Sequence, residues 1–180
     1  DPGAPVDASL LELTRRGLLH PVRGEGADDH YRFHHGLLHD VAYASLSKAS
    51  RAELHARCAA WLDRDGPGPD ELVGWHLEQS YRYRAELGHD PELAVLGEHA
   101  GERLAAAGLR ASKVADPAAV DLLGRAATLL PDQRRRGALL AELGPWWRNL
   151  GDPDQARRVL EEALAIGVEI GDKGLEARAL

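Results

Sequence analysis

The stretch Leu143–Ile166 (LGPWWRNLGDPDQARRVLEEALAI) reads as two helices folded back on each other around small residues. Gly144 lets the two helices approach closely, with Leu143 and Trp147 filling the space around it. Gly151 ends the first helix, and Asp152-Pro153 starts the second, with Asp as N-cap and Pro at the first helical position. Ala156, Leu160 and Ala163 then fall on one face of the second helix. A helix pair of this kind cannot bury its apolar face alone, so the reading predicts stacked neighbours.

The same pattern recurs upstream. Asp116-Pro117 starts a helix in which Ala119, Leu123 and Ala126 are spaced as Ala156, Leu160 and Ala163 are, with Pro131 at its end. Ala107 is the expected small residue of the helix before it. A third copy begins near Lys173. The small–large–small order resembles the tetratricopeptide repeat, whose helix pairs stack into a solenoid. The chain carries no methionine and stops within a presumed helix, so it reads as a piece of a longer protein. On that reading Ala163, Ile166 and Ile170 lack a covering helix, and a homodimer forms through the C-terminal end.

Composition agrees with a mostly α chain. Hydrophobic residues make up 44% of the 180 residues and charged residues 28%, which places the chain among folded globular proteins. Ala and Leu outnumber Val and Ile, which favours helix over strand. The formal charge of −7 argues against a nucleic-acid surface. No apolar run approaches the roughly 20 residues of a membrane span. Cys58 is the single cysteine, so no internal disulfide forms, and a reducing cytoplasm is the expected compartment.

The N-terminal part reads differently. Ala8–Arg16 is a short helix with Asp7 as candidate N-cap. Leu18–Val22 and Tyr31–Phe33 flank the loop Gly24–Asp29 as a β-hairpin. Helix then hairpin is the way a winged-helix module finishes. The expected organisation is therefore a partial winged-helix module over 1–46, a helical connector over 47–91 and repeats over 92–180. In the connector, Leu54, Cys58, Trp61 and Leu62 are predicted to face inward from one helix. Asp70 is predicted to cap the next, with Leu72, Val73, Leu77 and Tyr81 inward.

Candidate chemistry is sparse. His35 and His39 share a helix face at i, i+4, but no third ligand is placed by spacing and the glutamate of a zinc-protease motif is missing. No metal site and no catalytic residue is assigned. There is no Gly-x-Ser-x-Gly elbow and no phosphate loop. Cys58 reads as a small core residue, and Arg134-Arg135-Arg136 as a solvated helix edge. The Tyr81-Arg82-Tyr83-Arg84 run could stack bases, but at helical spacing two of the four point inward, which favours packing.

The run Tyr31-Arg32-Phe33-His34-His35-Gly36-Leu37-Leu38-His39-Asp40-Val41-Ala42-Tyr43-Ala44-Ser45-Leu46 resembles the closing part of the ATPase module in large signalling ATPases. Arg51–His55, Trp61-Leu62 and Gly74–Gly88 extend the likeness. Together they most resemble bacterial multidomain proteins in which a class III adenylate/guanylate cyclase domain precedes an ATPase and a tetratricopeptide tail. Large LuxR-type ATP-binding regulators are the next most similar. The resemblance implies a non-catalytic regulatory segment that receives a protein, a peptide or another domain of the same chain and biases an upstream nucleotide switch. It implies ATP or ADP in that upstream domain and no cofactor here. In the family a Met-His-Asp motif senses nucleotide phosphates. His35 stands at the sensor position, with His34 in place of Met and Gly36 in place of Asp. The rival reading is a DNA-binding winged helix with a helical dimerisation tail, and a third is a histidine-dependent metal hydrolase.

Overall fold

The computed structural model describes residues 4–22, 30–88 and 90–180. Among these residues the chain is mostly helical, with nine helices and one two-stranded antiparallel sheet. It divides into two units, 1–47 and 48–180.

The first unit holds α1 (Ala4–Arg15), β1 (Leu19–Val22), β2 (His30–Phe33) and α2 (Gly36–Ser45). The strands pair in the register Leu19↔Phe33 to Val22↔His30. The helix α1 starts before the expected Asp7 cap, so Asp7 lies in its first turn and does not cap it. Leu19 is the buried anchor of this unit. No residue of α2 is buried, and Leu37 and Val41 stand well exposed. The expected Gly24–Asp29 loop lies outside the described residues.

The second unit holds α3 (Lys48–Leu62), α4 (Asp70–Leu87), α5 (Leu93–Lys113), α6 (Ala118–Leu129), α7 (Gln133–Asn149), α8 (Pro153–Ile170) and α9 (Lys173–Ala179). Each helix from α4 to α9 packs on the one before it. Short connections turn the chain back each time, so neighbours run antiparallel. Pairings between helices fix the directions. Lys48 meets Glu86 and His55 meets His76 across α3 and α4. Tyr81 lies on Gly97, and Leu104 on Gly74, across α4 and α5.

The breaks have local causes. Gly66 and Gly88 take positive φ values that L side chains disfavour. Pro117 and Pro153 stand at or beside helix starts, where a missing N–H costs nothing. Asp152 caps α8 by accepting from the Gln155 N–H at 2.9 Å. Asp132 and Asp172 do the same for α7 and α9. Asp70, by contrast, is the first residue of α4 and not its cap. Its carboxylate is taken by Arg103 and Arg110 of α5.

Two inward-facing expectations are corrected. Leu54, Cys58 and Trp61 are exposed, and α3 instead buries Ala52, His55 and Ala59. Small residues let α3 lie close on α4, which turns the bulkier side chains of the helix away from the seam. Leu72 is exposed for the same geometric reason, on the side of α4 away from Val73 and Leu77. At the other end, Ala163 and Ile166 are buried, not uncovered. The helix α9 packs on both α7 and α8, seating Leu175 against Gly137.

One apolar core runs through α5 to α9, centred on Leu104, Leu123, Leu139, Leu143, Ala163 and Leu175. A smaller cluster of Ala59, Val73, Leu77 and Ala100 joins α3, α4 and α5.

Candidate functional site

The predicted packing residues meet in the seams of this second unit. Ala119, Leu123, Ala126 and Ala163 are fully buried, and Ala107, Leu143 and Ala156 nearly so. Gly144 is buried, and a Cβ built there would lie 2.5 Å from the Leu160 side chain. Leu160 and Trp147 are partly buried and pack on the margin of the core. Gly151 is exposed, with φ +80° at the end of α7.

The structure adds a relationship between helix pairs. Gly108 of α5 lies under Leu123 of α6, its would-be Cβ 2.8 Å from that side chain. Gly101, one heptad earlier, lies under Leu130. On α7 and α8, Gly137 lies against Ile166 as Gly144 lies against Leu160. Gly101 and Gly108 thus each precede their counterparts by 36 residues. The residue matching Gly144 is Gly108, and Ala107 is its buried neighbour.

Charged side chains tie these layers together. Arg134 and Arg135 are exposed and Arg136 is half-buried, as expected of a solvated edge, and the three also reach different helices: Asp172 at the start of α9, Glu102 on α5 and Glu162 on α8. Ser112 of α5 donates to Glu142 of α7 at 2.6 Å and accepts from the Trp146 indole N–H at 3.1 Å. These links run from the middle of α5 to the start of α7 and from the end of α5 to the second half of α7, so the two helices point the same way. Glu78 of α4 is buried, with a side chain only 2% exposed. It accepts from Arg82 one turn on and from Arg125 of α6. Burial alone disfavours the charged Arg125 guanidinium, but the hydrogen bonds and charges of Glu78 and Asp121 outweigh it and raise its pKa.

Two surface grooves flank this core. One encloses about 200 Å³ between α6, α7 and α8, with an apolar floor of Leu140, Trp147 and Val159 and a polar rim of Thr128, Gln155 and Glu162. Gly124 of α6 opens into free space there. The other encloses about 350 Å³ along α8, lined by Pro153, Ala156, Leu160 and Leu164 and reaching Ala179 of α9.

A cluster that spacing did not reveal lies between α3 and α4. His55 and His76 meet through their Nδ1 atoms at 2.9 Å. Trp75 stands edge-on to both rings, at 5.2 Å from His55 and 4.8 Å from His76. Tyr83 stacks on His55 at 6.1 Å, and the Arg51 guanidinium lies over the Tyr83 ring. Burial lowers the pKa of both imidazoles, and for His55 the neighbouring His76 lowers it further.

His35 precedes α2 in extended conformation, exposed, with its ring 4.8 Å from that of His34 and no side-chain capping bond. His39 is bonded to its neighbour Asp40. Among the described residues, no group of three or more His, Cys, Asp or Glu side chains is arranged to hold a metal ion. None of the described helices is long and apolar enough to cross a membrane. In α1 and the turn after it, Arg16 is engaged by Glu12 of the previous turn. Comparisons with protein-family models, curated proteins and solved structures found no match to this chain.

Proposed function

We propose that this chain is a non-catalytic, cytoplasmic protein-interaction segment of a larger signal-transduction ATPase of the cyclase or transcription-regulator type. Its helix pairs from α5 onward act as a tetratricopeptide-like stack, and the first unit is the end of a winged-helix module. The recurrence of Gly108 under Leu123 as Gly144 under Leu160 carries the reading, because it repeats one helix-pair geometry along the chain. The groove between α6, α7 and α8 suits an amphipathic helix or extended peptide: Leu140, Trp147 and Val159 receive apolar side chains, and Thr128, Gln155 and Glu162 set register. A second copy of the chain would seat along α8, where Leu160 and Leu164 line the other groove. Binding biases the nucleotide state of the upstream ATPase, where His35 would face the phosphates.

The experiment uses the longer protein with its ATPase. Thr128→Arg places a cation on the rim of the groove, at an exposed position outside the core. ATP turnover should change several-fold while the melting temperature holds. Deleting 92–180 should change turnover in the same direction. Turnover unaffected by either change would overturn the proposal.

A further inference from the structure

The helices α4, α6 and α8 share one inward spacing. On α4, Val73, Leu77 and Ser80 are buried, each 46 residues before Ala119, Leu123 and Ala126 of α6. These in turn stand 37 residues before Ala156, Leu160 and Ala163 of α8. In that register Glu78 of α4 corresponds to Gly124 of α6, and Arg125 of α6 corresponds to Glu162 of α8. Between α4 and α6 the two positions are joined, because buried Glu78 accepts from the Arg125 Nε–H at 2.9 Å. Between α6 and α8 the same two positions line the groove of about 200 Å³. Gly124 has no side chain to reach across it, and a Cβ there meets nothing within 4 Å. The receiving position has also changed sign, from a guanidinium to a carboxylate.

Glu162 has room for a second cation. Two other carboxylates that bridge helices hold two arginines each, one on either oxygen. Glu78 holds Arg82 and Arg125, and Asp70 holds Arg103 and Arg110. Among the described residues Glu162 holds one, Arg136, on Oε1, and its side chain is 43% exposed. The formal charge of −7 on the chain favours the approach of a cation.

We propose that the groove between α6, α7 and α8 takes a basic peptide, one arginine or lysine of which lies over Gly124 and binds Glu162, while apolar neighbours rest on Leu140, Trp147 and Val159. The proposal rests on the peptide-docking reading above and adds the charge of the partner. Glu162 supplies a charge-assisted hydrogen bond, and the apolar floor supplies burial. The incoming cation restores across α6 and α8 the ion contact that Glu78 makes across α4 and α6, with the signs exchanged.

The test selects short random peptides against the whole 180-residue chain and measures the binders by fluorescence anisotropy. Binders weakened by Thr128→Arg occupy this groove, and they should carry an arginine or lysine among apolar residues. Glu162→Gln should weaken them about tenfold or more, as should glutamine in place of the basic residue of the peptide. Glu161→Gln, on the side of α8 that lines the other groove, should leave them unchanged. Arg136→Gln vacates the other oxygen of Glu162 and should hold or raise the affinity. A second measurement needs no peptide. Gly124→Arg supplies the cation from the chain itself, so it should block the binders and raise the melting temperature above that of Gly124→Ala, a gain that Glu162→Gln removes.

Groove binders that are acidic or uncharged, or that are indifferent to Glu162→Gln, overturn the basic partner and leave peptide docking standing. Equal weakening by Arg136→Gln and Glu162→Gln also overturns it, since that is the mark of an ion pair with a purely structural role. A library without any binder sensitive to Thr128→Arg overturns both readings.

Discussion

Leu160 covers Gly144 so closely that no side-chain carbon fits between α7 and α8, and Leu123 covers Gly108 in the same way between α5 and α6. Gly144→Leu and Gly108→Leu should each force a helix pair apart and destabilise the fold by about 1–3 kcal/mol as overpacking. Urea denaturation of the two single variants measures this. A large loss from one and none from the other would show that the two contacts are not energetic equivalents.

Gly124 gives the opposite expectation. It lies inside α6, yet a Cβ there meets nothing within 4 Å. Gly124→Ala should raise stability by about 0.5–1 kcal/mol through helix propensity alone. A thermal melt that falls would mean that an unrecognised neighbour occupies this space.

Trp147 is half-buried on the margin of the core, not enclosed. Its removal should cost less than the about 3–5 kcal/mol of a fully enclosed tryptophan, and about 2 kcal/mol is expected for Trp147→Ala. Chemical denaturation of the variant, read by far-ultraviolet circular dichroism, checks the figure.

Glu78 tests what a buried charge contributes. Glu78→Leu leaves Arg125, itself only 23% exposed in its side chain, without its main carboxylate and should cost about 2–4 kcal/mol. The double variant Glu78→Leu, Arg125→Leu should recover a large part of that loss, since both desolvation costs disappear. A double-mutant cycle gives the coupling directly, and a value near zero would mean the pair is solvated.

Capping offers a simpler comparison. Asp152→Ala removes the acceptor for the Gln155 N–H and should destabilise by about 1 kcal/mol. Asp70→Asn should act through Arg103 and Arg110 instead, because Asp70 caps nothing. Raising the salt concentration should narrow the Asp70→Asn difference and leave that of Asp152→Ala nearly unchanged.

The ends of helices were legible because their signals are local: Gly151 with Asp152-Pro153, Asp116-Pro117, and the Gly66–Pro69 break all stand in the sequence itself. The inward faces of Ala119–Ala126 and Ala156–Ala163 were legible because their spacing is strict. The buried side of α3 was not. Its apolar residues lie on two sides of the helix, and only the partner α4 selects Ala52, His55 and Ala59 over Leu54 and Trp61. Gly108 could have been found from its 36-residue distance to Gly144, which Gly101 and Gly137 repeat. The pairing of His55 with His76, and of Glu78 with Arg125, joins different helices, and no local spacing encodes it.

Three consecutive arginines at the start of α7 grip α5, α8 and α9 through partly exposed ion pairs. Apolar seams are not weakened by charge screening, whereas these grips weaken as salt shortens the Debye length from about 8 Å at physiological strength. Ionic strength should therefore soften the stack at these contacts, within the α7–α8 pair at Arg136–Glu162 as well as between pairs, more than at the apolar seams.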